Sequence, residues 1–489
     1  MEERSRIPVG PPVANPLPSY WHNPKSPLAN VIEPETDKPT QTYDYAIIGS
    51  GISGTMVAHN LLKANPSSRI VMIEAREICG GATGRNGGHT KAASYRTYLQ
   101  HVQELGKDEA LKIARLEYAN IVETHRMAKD LGIDCESVPC NTVDIIYDSA
   151  TFSRAKEAID ALRNDSTAVE KQEGGMAWYK VHENSEETRQ KFNVSGANTN
   201  PAIPSSENVI GVIEYIAGRI HAYRFSTATL GKCVKQGLVL CTNTPVHSIL
   251  PSPNSTQENI LWDVFTQHST ISTRSVILAT NGYTPYLLPE LQGKIVPMRG
   301  QITAQRHAAR DEGIRKLDVP LPTTYSFIYR DGYEYMIPRP LSHADLARNG
   351  EDVSAGIQDV IIGGGLGRLP SSGAAEFGTV DDSQLNPDIS KYLQGSLSGT
   401  LETSGFEVKQ EWTGIMGATP DGLPFVGEVP GKKGMWVCAG FNGHGMVLCV
   451  KSAEALVGRM VEGVWKEWWP SSFGVTDKRL EGVFGGRRV

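Results

Sequence analysis

The sequence predicts an α/β protein in which a Rossmann-like dinucleotide-binding domain is joined to an α+β domain with a mostly antiparallel sheet. Three observations carry that prediction. An apolar run, Tyr45-Ala46-Ile47-Ile48, leads into glycines at GxGxxG spacing, then into an apolar segment of helical period and a second short run ending in Glu74. Between about Lys294 and Glu411, β-branched and aromatic runs alternate without helical patterns between them, as in antiparallel sheets. Near the C-terminus a second strand, glycine loop and helix recur from Met435 to about Val461.

Composition sets the outer bounds. A chain of 489 residues, 39% hydrophobic and 21% charged, has the size of about two globular domains. Its net charge of −6 is scattered, and no basic stripe invites nucleic acid or an anionic lipid surface. Seven cysteines form no CxxC pair and no even framework, so a reducing compartment and no metal site are expected. No membrane-spanning run and no apolar leader are read. The C-terminal Gly486-Arg487-Arg488-Val489 is not a peroxisomal address of the Ser-Lys-Leu type. A soluble, intracellular, cytoplasmic protein is the expectation.

Taken in order, Met1 to about Thr42 is proline-rich and predicts an extended arm over the surface, pinned by Tyr20-Trp21, with no chemistry of its own. In the fingerprint that follows, Gly49 permits the tight turn, Gly51 lets backbone approach a pyrophosphate, and Gly54 lets helix and strand pack closely. The helix start at Ile52 and Ser53 supplies unpaired N–H groups and a positive dipole end. Glu74 lies at a reach suited to ribose hydroxyls. This pattern alone serves FAD or NAD. Residues 75–89 carry five glycines among small polar residues, a loop whose backbone passes close to something. Helices are predicted from Asp108 to about Leu131 and from Ser149 to Leu162, with a strand from Thr142 to Tyr147 between them. Residues 164–204 are weakly patterned.

From Val209 a strand-like run leads to Phe225 and a helix to about Gln236, followed by strands Leu238–Cys241 and Pro245–Ile249. A hairpin of Ile260–Thr266 with Thr270–Val276 ends in Ala279-Thr280-Asn281-Gly282, a second place for backbone to meet a nucleotide. In the antiparallel region, Gly363-Gly364-Gly365-Leu366-Gly367-Arg368 misses the fingerprint spacing and reads as a turn; 350–372 reads as loop-rich. The last motifs are Asp421-Gly422-Leu423-Pro424 and Gly440-Phe441-Asn442-Gly443-His444-Gly445-Met446.

Together with the loop Ala82-Thr83-Gly84-Arg85-Asn86-Gly87-Gly88, these motifs resemble the D-amino-acid oxidase and glycine oxidase superfamily, and most closely its γ-glutamylputrescine-type amine oxidases. The resemblance spans about Tyr43 to Val461. It implies FAD as the cofactor, held by a discontinuous domain of residues 43–105, 205–290 and 410–470. A substrate domain of 106–204 and 291–409 covers the flavin, and 471–489 is a tail. Carried over motif by motif, Gly49, Gly51, Ile52, Ser53 and Gly54 take the pyrophosphate, and Glu74, Ala75 and Arg76 the adenosine. Thr83, Gly84, Arg85, Asn86, Gly87 and Gly88 pass along the flavin and ribityl chain. Val246 offers backbone to adenine. Ala279, Thr280 and Gly282 approach the nucleotide, and Gly440, Gly443, His444, Gly445 and Met446 sit at the pyrimidine edge.

The implied activity is oxidation of the C–N bond of an amine or amino acid by hydride transfer to flavin N5, with O2 as acceptor and H2O2 as product. Such chemistry needs positioning and desolvation more than a strong base, so no catalytic side chain is assigned. Tyr325, Tyr335, Arg339 and His89 are candidate substrate contacts, Arg339 as a carboxylate clamp. Sarcosine oxidases tether flavin through a cysteine before the position of Asp421. Gly414 stands thereabouts here, so a dissociable FAD is expected. A dehydrogenase or natural-product tailoring oxidase that bypasses O2, and a flavin-bound protein without turnover, are the alternatives.

Overall fold

The computed structural model describes residues 1–31, 42–257, 259, 261–307, 321–341, 358–403 and 405–484. Expectations placed on Thr42's neighbours 32–41, on Ile260, on 350–357 and on the terminal 485–489 lie outside the described residues.

The first sheet has eight strands. Its path runs Val246–Pro251, Trp262–Thr266, Thr270–Leu278, Tyr43–Ile48, Ile70–Ile73, Val239–Cys241, with Met435–Ala439 also on Thr270–Leu278 and Phe425–Glu428 beyond it. Tyr43–Ile48 is parallel to both neighbours, Ile47 standing opposite Met72 on one side and Ile277 on the other. A parallel strand is covered on both faces, which is why Ala46, Ile47 and Ile48 form an unbroken apolar run, all buried. Helix Ile52–Ala64 packs between Ala222–Lys235 and Cys449–Glu462 on one face. The N-terminal and C-terminal motifs thus meet in one layer.

The second sheet has nine strands. Its path runs Phe406–Ala418, Val296–His307, Gln358–Gly363, Gly332–Pro340, Thr324–Tyr329, Val138–Ile146, Gly211–Arg219, His89–Lys91, with Tyr179–Glu183 also on Gly211–Arg219. Every pairing is antiparallel except Thr324–Tyr329 with Val138–Ile146. The expected architecture is therefore present. Strands Gly211–Arg219 and Phe406–Ala418 lie in this sheet although sequence placed most of their residues in segments of the other domain, so the chain crosses between sheets at Ile220–His221 and again after Ala418.

Helices form at Lys107–Asp130 and Ser149–Asp165, close to expectation, and Tyr95–Leu105 precedes the first of them. The weakly patterned stretch supplies strand Tyr179–Glu183 and helix Glu186–Phe192. The antiparallel region is not free of helices: Pro387–Thr400, capped by Asn386, lays Ile389, Tyr392, Leu393, Ser396 and Leu397 on the sheet. None of the seven cysteines is in a disulfide.

The N-terminal segment is held to the body at Tyr20-Trp21: Trp21 is buried, Tyr20 stacks on the Trp412 ring, and further on Val31 exchanges hydrogen bonds with Thr242. Arg479 of the C-terminal tail is seated on Asp421 by two hydrogen bonds of 2.7 and 3.0 Å.

Under helix Pro387–Thr400 lies Glu334, 1% exposed. Its carboxyl accepts from the Tyr329 and Tyr392 hydroxyls, both at 2.9 Å, and from Gly365 N at 3.3 Å. Burial pushes its pKa up to about 7, against the pull of Arg368, whose guanidinium covers the Tyr329 ring. Between about pH 4.5 and 7 the folded chain keeps a proton here that the unfolded chain has released. Stability of on the order of 3 kcal/mol is fully present below that window and lost as pH rises through it. Urea midpoints measured from pH 5 to 8 should show this decline, and Glu334→Gln should flatten it.

Candidate active site

Between the sheets runs one cavity of about 610 Å³, within the range of cofactor sites. At one end the fingerprint forms its floor. Gly49, Gly51, Ile52 and Ser53 line it. Gly49 adopts φ +103°, and a Cβ there would come within 2.7 Å of Ala279 O, so the turn admits only glycine. Glu74 also lines the cavity and is fixed in place. One carboxylate oxygen accepts from Ser50 N at 3.0 Å and Ser50 Oγ at 2.6 Å, and the other from Arg76 N at 3.1 Å. Thr83 Oγ1 accepts from Ile52 N at 2.9 Å, tying the glycine-rich loop to the helix start. Ala75, Arg76, Val246, Ala279 and Thr280 complete this end. Arg76 is clamped by Asp382 in two hydrogen bonds of 2.9 and 3.0 Å, a buried carboxylate that also stands 3.5 Å from Arg85.

The loop then crosses to the second sheet. Arg85, Asn86, Gly87 and His89 line the cavity. Arg85 is pinned by donating to Gly80 O at 2.8 Å and Thr413 O at 3.0 Å. A Cβ on Gly87 would lie 2.2 Å from Tyr335 Cε2, so that ring rests directly on the loop. His89 Nε2 meets Thr324 Oγ1 at 2.8 Å, and burial keeps its imidazole neutral. Opposite stand Gly443, His444, Gly445 and Met446. His444 Nδ1 lies 2.8 Å from Asn442 O, and burial with Arg96 and Lys91 nearby holds its pKa low. Asn281, from the Ala-Thr-Asn-Gly motif, accepts from Gly440 N and Phe441 N at 3.0 and 3.2 Å. That motif therefore shapes the terminal loop as well as the nucleotide end.

The far wall carries Lys91 and Arg96, with Asp331 beside Tyr333. Lys91 Nζ donates to Asp144 and Ser326, and Asp144 also accepts from the Tyr95 and Tyr215 hydroxyls at 2.6 and 2.9 Å. That lysine is neutralised. Arg96, in the first turn of helix Tyr95–Leu105, faces the cavity with its guanidinium 4.4 Å from the Tyr333 ring centre. Among the described residues no carboxylate pairs with Arg96.

Residues 44–459 match the model of the DAO family, FAD dependent oxidoreductases. The chain belongs to that family. Its cavity, glycine-floored at one end and ringed by the His444 loop at the other, fits FAD, and this is an FAD-dependent oxidoreductase. The chain is 21% identical over 432 residues to the probable oxidoreductase OrdL of Haemophilus influenzae, covering 86% of this chain and 81% of that one. Two solved structures share the fold. Glycine oxidase from Geobacillus kaustophilus superposes with a TM-score of 0.63 at 19% identity, over 90% of this chain and 99% of that one. L-Proline dehydrogenase from P. horikoshii gives 0.63 at 17%, over 91% and 99%. No helix among the described residues is long and apolar enough to cross a membrane, and no cluster of metal-ligating side chains occurs among them.

Several residues expected at the family's cofactor stand one layer back. A Cβ on Gly54 would lie 2.0 Å from Gly49 O, on Gly84 2.3 Å from Cys79 O, on Gly88 2.3 Å from Ile220 O, and on Gly282 2.3 Å from Met416 O. Gly440 packs on Thr419 in the same way. These glycines let backbone segments pass one another rather than line the cavity. Of the substrate candidates, Tyr335 and His89 line it and Tyr325 and Arg339 do not. Tyr325 points to the opposite face of its strand, where its hydroxyl donates to Phe192 O at 2.9 Å; its neighbour Ser326 faces the cavity. Arg339 shares a face with Tyr335 but lies beyond the cavity, bound to Glu136 by two 2.7 Å hydrogen bonds and to the Tyr20 hydroxyl. Sequence reading missed Arg96, Lys91 and Ser50. Ser50, between two fingerprint glycines, was within reach of it.

Cys449 also lines the cavity, accepting from Ser53 Oγ at 3.1 Å. Burial pushes its thiol up to about 12, which leaves it without nucleophilic thiolate near neutral pH.

Proposed function

We propose that the protein oxidises the C–N bond of a primary or secondary amine that carries a carboxylate, with O2 as the electron acceptor and a dissociable FAD. The observation that carries this reading is Arg96: a cation without a carboxylate partner among the described residues, facing the same cavity as the fingerprint glycines. Bound FAD would supply two-electron oxidation of the substrate C–N bond to an imine that water hydrolyses, with O2 as final acceptor and H2O2 as its product. The chain's own residues bind and orient. Arg96 would hold the substrate carboxylate in a bidentate pair. Tyr333 and Tyr335 wall the space over the glycine loop and exclude water. His89 and His444 stay neutral, so neither adds positive charge beside a substrate that must present a neutral amine.

The family match, the matched length of OrdL and the fold shared with amino-acid-processing enzymes support the reading. γ-Glutamylputrescine, an amine with a distant carboxylate, belongs in the substrate panel beside α-amino acids and N-methyl amino acids. Seven cysteines with no disulfide among them suit a reducing compartment.

The test is anaerobic mixing of the purified protein with that panel. A carboxylate-bearing amine should bleach the flavin's visible absorbance, and admission of air should restore it with one H2O2 per turnover. Bleaching restored by a dye but not by air would replace the oxidase with a dehydrogenase.

A further inference from the structure

We propose that residues 1–31 form part of the cofactor site, as a strap that retains FAD. These residues lie ahead of the family match, which begins at residue 44. The inference rests on FAD occupying the cavity.

The strap touches the cavity directly and from behind. Met1, Pro11 and Pro12 line the same cavity as Glu74 and His444. Pro11 and Pro12 bring no N–H groups and little freedom, which makes a stiff apolar wall suited to the face of an aromatic base. Beside them Val13 O accepts from Arg76 Nη1 at 3.3 Å, and Leu17 N donates to the backbone carbonyl of Asp382 at 2.9 Å. The strap therefore meets both members of the buried pair at the nucleotide end. Further on it grips the glycine-rich loop. Ser19 Oγ donates to Gly84 O at 2.6 Å, and Trp21 Nε1 donates to Asn86 O. The His22 ring sits so close that a Cβ on Gly84 would come within 2.4 Å of its Nε2.

Both flanks of this crossing are moored. On one side Gln292 Nε2 donates to Ser5 O and Ile7 O, both at 2.9 Å, and Arg4 Nε donates to Phe377 O at 2.7 Å. On the other, Ile78 N donates to Ala29 O at 3.2 Å, and Val31 N donates to Thr242 Oγ1 at 2.7 Å. A segment moored on both sheets' flanks and lying against the cavity between them must lift before a dinucleotide can leave. The same contacts hold the Gly84–Asn86 backbone in the course it takes beside the cofactor.

The experiment follows release of FAD, by the rise in flavin fluorescence after dilution, from the full-length holoprotein and two variants. Trp21→Ala should release FAD at least tenfold faster. Pro11→Gly/Pro12→Gly should release it at least threefold faster while the melting temperature of the FAD-free protein falls by no more than about 2 °C, which separates cofactor retention from plain structural support. If Trp21→Ala does not fold, the proline pair decides, since Pro11 is exposed and neither proline belongs to the core. Release within twofold of the parent from the folded variants overturns the strap and leaves the proposed oxidation standing. A parent protein that purifies without FAD and fails to take it up overturns that oxidation instead.

Discussion

Gly54→Ala should yield a protein that purifies colourless and binds FAD at least a hundredfold more weakly. The substitution adds one methyl group inside helix Ile52–Ala64, where intrinsic propensity favours alanine over glycine by about 1 kcal/mol. Sterics reverse the sign. The new Cβ would stand 2.0 Å from Gly49 O and 3.3 Å from Ile47 Cγ2. The obstructing atom is backbone, and Gly49 is itself held by its N–H to Ile73 O at 2.9 Å. The helix must back away, carrying the N–H groups of its first turn out of line with the cavity. Overpacking of this kind costs about 1–3 kcal/mol in stability, on top of the lost cofactor. Gly231→Ala is the control. It lies in helix Ala222–Lys235 with its nearest neighbour, Leu28 Cδ1, at 3.6 Å, and should stabilise by about 0.5–1 kcal/mol. Flavin content per chain and thermal melts of both variants check the pair. Retention of stoichiometric FAD by Gly54→Ala would show that the helix does not seat the pyrophosphate.

Arg96→Ala should lower kcat/KM for carboxylate-bearing amines by about 10²–10³, equivalent to about 3–4 kcal/mol, and should leave turnover of amines without a carboxylate within threefold. The guanidinium is stacked on Tyr333 rather than spent on a carboxylate, so its removal leaves no partner acid exposed and the loss falls on substrate. Lysine is a poor substitute: it lacks the planar fork, and it forfeits the stacking. Arg96→Lys should therefore recover less than a tenth of the loss. The split matters as much as its size. An effect that appears mainly in KM for the carboxylate substrates places Arg96 at the bound acid, whereas an equal loss for every amine would assign it to the fold.

The parts legible in the sequence were those written contiguously. Strand, glycines, helix and terminal acid follow one another from Tyr43 to Glu74, and each constrains the next. The side chains on the second sheet were harder because their facing depends on register. Tyr325 and Ser326 are adjacent in sequence and opposite in space. Arg339 has the right parity relative to Tyr335, but four residues of extended strand carry it about 13 Å away. Helix Pro387–Thr400 is masked by its glycines, which weaken a helical pattern: Asn200 lies across Gly395 and Gly399, and a Cβ on either would come within 2.6 Å of its Oδ1 or its N. The N-terminal segment has no period to read. Its backbone groups are satisfied by distant residues such as Gln292 and Thr242, which no local pattern announces.

Arg4 and its seat on Phe377 are separated by 373 positions, so this mooring cannot exist on a nascent chain until Phe377 has been made. Contacts of such separation close slowly. With the strap closing over FAD as proposed, free FAD present during refolding should raise the yield of active protein more than FAD added once folding is complete.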